Sequence, residues 1–375
     1  MLSLITQNLI TIIWFIIIFG VVVIAHEFGH FLLAKSNGIH VVEFSVGMGP
    51  NLISVKRGET KYSLKLLPIG GACMFEGEDG LMSKDDEPGE GSFLKASVWG
   101  RISTVVAGPL FNFILAYIIA FIMVNMMVSM EVPIRQPIAT QVVEGGGAEA
   151  AGLQDGDKII SINGERMRLY EEISLYMMAS YQGGDLEVVY ERVEERDGIK
   201  YTKRDTAILT PQYVEDDYGA RYLLGIVNAD FVEPKGIRTL QYAWYEMRYS
   251  AKATYKSLGM LVRGQVSRQD VAGPVGIAVN VVGKTYEVTK DDGWQYVLLN
   301  MMNITMMLSV NLGILNLLPI PALDGGRLVF LLVEVVRGKP IPPEKEGMVH
   351  FVGLMFFMVL MVLVFFNDIS NVIQH

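Results

Sequence analysis

The sequence predicts an α-helical polytopic membrane protein with four transmembrane helices, a membrane-associated β-hairpin and one extracytoplasmic α/β domain. Two observations carry that expectation. A chain of 375 residues that is 51% hydrophobic, with a mean hydropathy of +0.35, is too apolar for an ordinary globular protein. Its apolar residues are also gathered into four uncharged runs, each near or above the roughly 20 residues that cross a bilayer as a helix.

The first run extends from Met1 to Ala25 without a charged residue, its core beginning at Leu9. A cleaved signal peptide would need a basic leading segment and a small-residue cleavage site, and neither stands before His26-Glu27. The second run covers Ile102 to Met130, the third Trp294 to Leu323 and the fourth Gly347 to Phe366. Asn300, Asn303, Asn311 and Asn316 in the third are costly against lipid tails, so this helix is expected to face other helices or a wet cavity.

No Lys or Arg precedes Lys35 and none follows Lys345. The positive-inside rule therefore assigns loops 31–101 and 324–346 to the cytoplasm, and segment 131–293 with both termini to the outside. The formal net charge of -9 offers no basic footprint for nucleic acid. The single Cys73 excludes an internal disulfide framework and a thiolate metal site.

These assignments divide the chain into a first membrane part (1–131), an outer domain (132–230), an amphipathic connecting region (231–292) and a second membrane part (293–375). Within the first part, Lys61 to Phe75 alternates and is expected to turn at Pro68-Ile69-Gly70-Gly71, as a hairpin would. Such a hairpin could accept an extended peptide by strand addition or stand without a partner. The acidic, Gly-rich stretch from Glu76 to Gly91 reads as a mobile loop. In the outer domain, Leu186 to Glu191 reads as a strand and Tyr170 to Ser180 as a helix. Residues 237–262 read as an amphipathic helix, lying either on the outer leaflet or against the outer domain.

The chemistry concentrates in His26-Glu27-Phe28-Gly29-His30, an H-E-x-x-H pattern. Residues four apart share a helix face, so both imidazoles can meet one zinc ion while Glu27 reaches a water beside it. An unrelated surface helix can carry this pattern, but here it follows twenty-five uncharged residues, where ionisable groups are costly and mark function. A catalytic zinc site needs a third protein ligand. Asp324 is the candidate: it ends a 30-residue uncharged run, after Pro319 and Pro321 and before Gly325-Gly326, and is expected on irregular backbone beside a cavity. The competing reading makes it an ordinary helix-end Asp at the interface. His40 is expected in a strand after the first helix, and His350 at the membrane interface.

Together with Gly108-Pro109-Leu110-Phe111-Asn112, the run Asn316 to Gly326, and Gly273-Pro274-Val275-Gly276-Ile277, this motif resembles the site-2 protease family of intramembrane zinc metalloproteases, in its bacterial regulator-of-sigma-E branch. Gly147 to Gly164 is similar to the peptide-binding loop region of a PDZ domain, and there is room for one such domain where many relatives carry two. The resemblance implies zinc held by His26, His30 and Asp324, with Glu27 as catalytic base. It implies substrate engagement by Asn112, Asn316 and the hairpin residues Leu66, Leu67, Gly70 and Gly71. The implied substrates are single-span membrane proteins, such as anti-sigma factors or signal-peptide remnants, in a bacterial inner membrane. The PDZ domain would bind a substrate C-terminus or act as a size filter. A membrane-anchored PDZ scaffold without activity leaves Glu27 between two histidines unexplained, and a zinc transporter would need a chain of ligands across the bilayer.

Overall fold

The structure is a computed structural model that describes residues 2–77, 89–216, 219–228, 230–267 and 271–374. Most of the acidic stretch expected as a mobile loop, residues 78–88, lies outside the described residues. Along the chain run α1 (Leu2–Ser36), β1 (Val41–Arg57), β2 (Thr60–Phe75) and α2 (Val98–Ser129). There follow β3 (Ile134–Arg135), β4 (Ile138–Ala139), β5 (Gln141–Val142), α3 (Gly147–Ala150), β6 (Asp157–Ile162), β7 (Glu165–Arg166), α4 (Glu171–Ala179), β8 (Leu186–Arg196) and β9 (Ile199–Leu209). Next come β10 (Gln212–Asp216), β11 (Gly219–Leu223), β12 (Ile226–Val227), β13 (Phe231–Val232) and α5 (Ile237–Val262). The chain ends with α6 (Pro274–Gly276), a π-helical stretch (Ile277–Gly283), α7 (Lys284–Thr289), α8 (Trp294–Asn316), α9 (Asp324–Arg337) and α10 (Pro343–Gln374). Two units result: Met1–Ala120 with Val266–His375, and Phe121–Gln265.

In the first unit, Leu9–Ser36, Val98–Ser129, Trp294–Asn316 and Glu344–Ser370 are long and apolar enough to span a membrane. Helix α1 continues well past Ala25, so His26 to His30 lie inside a helix rather than at its end. The third span stops at Asn316, short of the expected Leu323, because Pro319 and Pro321 cannot continue it. Asp324 is not on irregular backbone as expected but is the first residue of α9, where a carboxylate suits the helix dipole.

The hairpin also differs from expectation. Its turn is at Gly58-Glu59, where Gly58 has φ +63°, and Pro68 to Gly71 lie within β2. Register shifts match residues 43–46 twice, with Lys61–Leu64 on one side and Gly71–Met74 on the other. The bend that permits this comes at Gly70, whose φ of +78° suits glycine. His40 stands just before β1 rather than within it.

The segment Gly273 to Ile277 is anchored from α10. The buried carboxylate of Asp368 accepts the N–H of Gly273 at 2.9 Å and of Gly276 at 2.8 Å. A Cβ at Gly276 would come within 2.8 Å of that carboxylate, which explains the small residue.

In the second unit, strands order as β4-β6-β8-β9, with β7 paired to β6. Ile159, Ile162, Leu186, Val188 and Leu209 from this sheet bury against Ile173 and Tyr176 of α4. Residues 237–262 form a helix that packs one face on its own unit and leaves Ile237, Leu240 and Trp244 exposed. Tyr242, Ala243, Met247 and Ser250 are buried, while Arg248 and Lys252 reach the buried Glu172.

Candidate metal centre

Helix periodicity places His26 and His30 on one face of α1, and α2 supplies the surface they meet. Three residues one turn apart on α2, Thr104, Gly108 and Asn112, address this pair. His30 Nδ1 donates to the Thr104 carbonyl at 2.8 Å. Gly108 leaves the space that the His30 ring fills, since a Cβ there would collide with Nε2. The Asn112 amide lies 3.1 Å from His26 Nδ1, and with its amide turned so that Oδ1, otherwise unpartnered and buried, faces the ring, it accepts the Nδ1–H. Ser309 of α8 in turn donates to the Asn112 carbonyl at 2.8 Å. Each imidazole is thus fixed through Nδ1, leaving Nε2 free.

Asp324 completes the group. Its Oδ2 lies 3.2 Å from His26 Nε2 and 3.3 Å from His30 Nε2, and the two nitrogens are 3.2 Å apart. Bonds of about 2.0–2.1 Å in tetrahedral geometry would set donors about 3.4 Å apart, close to this triangle. Asp324 Oδ2 is moreover a buried oxygen outside any hydrogen bond. Two imidazoles and a carboxylate of this spacing fit zinc.

The loop before Asp324 is held tightly. Cβ atoms at Gly325 and Gly326 would collide with the carbonyls of Leu318 and Ile320. Ala322 adopts φ +74°, a strained value for a residue with a Cβ, and its N–H donates to His350 Nδ1 of α10 at 3.0 Å. His350 was expected only as an interfacial residue. Neither it nor Thr104 carried a sequence signal beyond being a polar residue in or beside an apolar run.

Glu27 follows His26 and points toward the hairpin. Its carboxylate bonds to the backbone of Cys73, and a Cβ at Gly71 would lie 2.9 Å from Glu27 Cγ and 2.8 Å from Val23. Gly71 is therefore the place where β2 passes over the catalytic candidate. Gly70 sits against Met48, and the side chains of Leu66 and Leu67 are half exposed on the same strand. Asn316 ends α8 outside the donor triangle.

The sequence matches peptidase family M50 over residues 14–360. It is 34% identical to the zinc metalloprotease RasP of Bacillus licheniformis, over 96% of this chain and 99% of that protein. It is equally similar to the zinc metalloprotease RasP of Geobacillus kaustophilus, over 97% and 99%. The regulator of sigma-W protease RasP of Bacillus subtilis is 34% identical over 96% and 98% of the two chains.

Proposed function

The chain belongs to peptidase family M50, and from that premise we propose that this zinc metalloprotease cleaves membrane-spanning segments inside the bilayer. The observation that carries the proposal is the donor triangle of His26, His30 and Asp324 within the apolar part of the chain, with Glu27 beside it and a β-strand passing across Glu27.

In this reading His26, His30 and Asp324 hold the zinc, which supplies a Lewis acid that eases ionisation of a water molecule. Glu27 takes the proton from the attacking water and returns it to the departing amine. Thr104 and Asn112 keep both imidazoles in the tautomer that leaves Nε2 unprotonated. A helical substrate hides its carbonyls in hydrogen bonds, so it must unwind before attack. The Gly71 to Phe75 part of β2 lies against α1 at Glu27, and an unwound segment added beside it would satisfy its backbone groups where water is scarce. Leu66, Leu67 and Gly70 lie along the same strand, and Asn316 near the mouth of the Asp324 loop, as further substrate contacts.

The Bacillus subtilis relative is named for regulating sigma-W. For this chain the corresponding substrates are single-span membrane proteins of an inner membrane. We read residues 132–230, within the second unit, as the PDZ domain, outside the cell with both termini; their sheet and α4 support the domain reading. It would capture a substrate C-terminus or exclude bulky ones.

Wild type and Glu27→Gln, purified in detergent, separate the possibilities. Stoichiometric zinc in both, with cleavage of a single-span substrate by wild type alone, is the expected result. Zinc in neither would restore the scaffold reading.

A further inference from the structure

In the second unit, β6, β7 and the first turns of α5 enclose a cavity of about 280 Å³. Lys158, Arg166, Arg168 and Arg238 line it. A fifth cation, Arg204, is bound to Glu191 at 2.6 Å. The other four have only neutral partners among the described residues. Lys158 Nζ is 3.4 Å from Gln136 Oε1, Arg168 lies 5.4 Å over the Tyr245 ring, and Arg238 bonds to the Tyr242 hydroxyl. Asp230 approaches Gln136 at 3.5 Å and makes no ion pair with any of the four.

Other cations of the unit behave differently, although Arg263, away from the cavity, also has only neutral partners, Gln265 and the Ala179 carbonyl. Arg135, Arg192, Arg248, Lys252 and Lys256 all meet carboxylates. In a chain of net charge -9, four unpaired cations around one cavity repel one another unless an anion enters. Guanidinium forks match phosphate oxygens in pairs, and four positive charges exceed what a single carboxylate would neutralise.

The surface next to the cavity indicates where such a phosphate comes from. On α5, Ile237, Leu240 and Trp244 alternate with the lining residues Arg238, Gln241 and Tyr245, and these three apolar side chains are exposed, Ile237 at 82%. Cations beside an exposed apolar and aromatic stripe are the pattern that seats on an acidic lipid surface. We propose that this cavity binds the headgroup phosphate of an acidic phospholipid, with the Ile237-Leu240-Trp244 stripe against the lipid's apolar part.

The test is native mass spectrometry on the delipidated full-length protein in detergent, titrated with phosphatidylglycerol or phosphatidylcholine. Wild type should retain phosphatidylglycerol in preference by on the order of tenfold, equivalent to about 1.4 kcal/mol. Arg168→Gln with Arg238→Gln should bring the two lipids to within about twofold, with zinc content unchanged. Arg166→Gln, at an exposed position that burdens the fold least, should reduce the preference by about threefold. An undiminished preference in both variants would overturn the site. Displacement of phosphatidylglycerol by millimolar inorganic phosphate would overturn a lipid as the source, because the free ion then fills the cavity.

Discussion

In the membrane unit the buried carboxylate of Asp368 meets two backbone N–H groups and, among the described residues, no cation, and Asp324 faces two imidazoles. In the second unit the equally buried Glu172 is held by Arg248 at 2.5 Å, by Lys252 at 3.4 Å and by the backbone N–H groups of Arg168 and Leu169. The difference follows from solvent. Next to lipid each charge is expensive, so the chain carries few and holds them by close helix contact, as with His26, His30 and Asp324, or in a single pair such as Arg101 of α2 with Glu334 of α9. Where water surrounds a domain, charges are common and balance one another in networks.

The largest expected effect tests close contact in the membrane unit. Gly108→Ala would force a methyl group into the His30 ring and disrupt the donor triangle. Zinc content should fall well below one per chain, and cleavage by on the order of 100-fold, as misplacement of about 1 Å suffices for that. Gly20 of α1 has open space around its Cβ position, so Gly20→Ala should leave both unchanged. Full zinc in Gly108→Ala would show that helix contact does not set the site.

Next in size is Glu172→Ala, which leaves Arg248 without its carboxylate, Lys252 with Glu165 alone and the backbone N–H groups of Arg168 and Leu169 without their acceptor. Breaking a buried pair costs about 3–5 kcal/mol, so the second unit should become susceptible to limited proteolysis while zinc stays bound. Loss of zinc in this variant would mean that the two units do not keep their chemistry separate. Asp368→Asn should have a smaller effect, about 1–3 kcal/mol, because one of the two glycine N–H groups then faces an amide N–H₂ instead of an oxygen. A melting temperature equal to wild type would remove Asp368 as the anchor of Gly273 to Ile277.

The same contrast explains what could be read in the sequence. The four spans and the His26, Glu27, His30 and Asp324 positions stood out because a polar residue beside a long apolar run is rare and costly. The structure brings His26, His30 and Asp324 together and sets Glu27 beside them. Thr104 contributes through its carbonyl, which every residue possesses, so it is not visible before α1 and α2 meet; Gly108 stood out as part of the Gly108 to Asn112 motif, but its role, through an atom it lacks, did not. The hairpin turn was misplaced because Pro68 to Gly71 carries the stronger turn composition, yet Gly70 bends β2 there while Gly58 closes the turn. In the second unit the pairing of Glu172 with Arg248 joins residues 76 apart in a sequence full of both charges.

The smallest expected effect belongs to a cluster of carboxylates in the second unit. Glu246 of α5 faces Glu171 and Glu172 of α4 and lies near Tyr249. Burial first, and then those two carboxylates, push its pKa from the ordinary 4.5 up to about 7. Between pH 4.5 and 7 the folded unit keeps a proton that the unfolded chain has lost. The associated stability is therefore complete below about 4.5, declines as the pH rises through 7 and is absent above it. Glu165 behaves oppositely: against the effect of burial, Lys252 and Lys256 lower its pKa, so its contribution is lost only below the ordinary carboxylate range. Because the Glu246 side chain is partly exposed, screening should reduce the change to about 1–2 kcal/mol. Melting of the full chain in detergent at pH 5, 6, 7 and 8 should show a decline of a few degrees up to pH 7 and then a plateau. Glu246→Gln should remove that slope, and an identical slope in the variant would assign the pH dependence to another group.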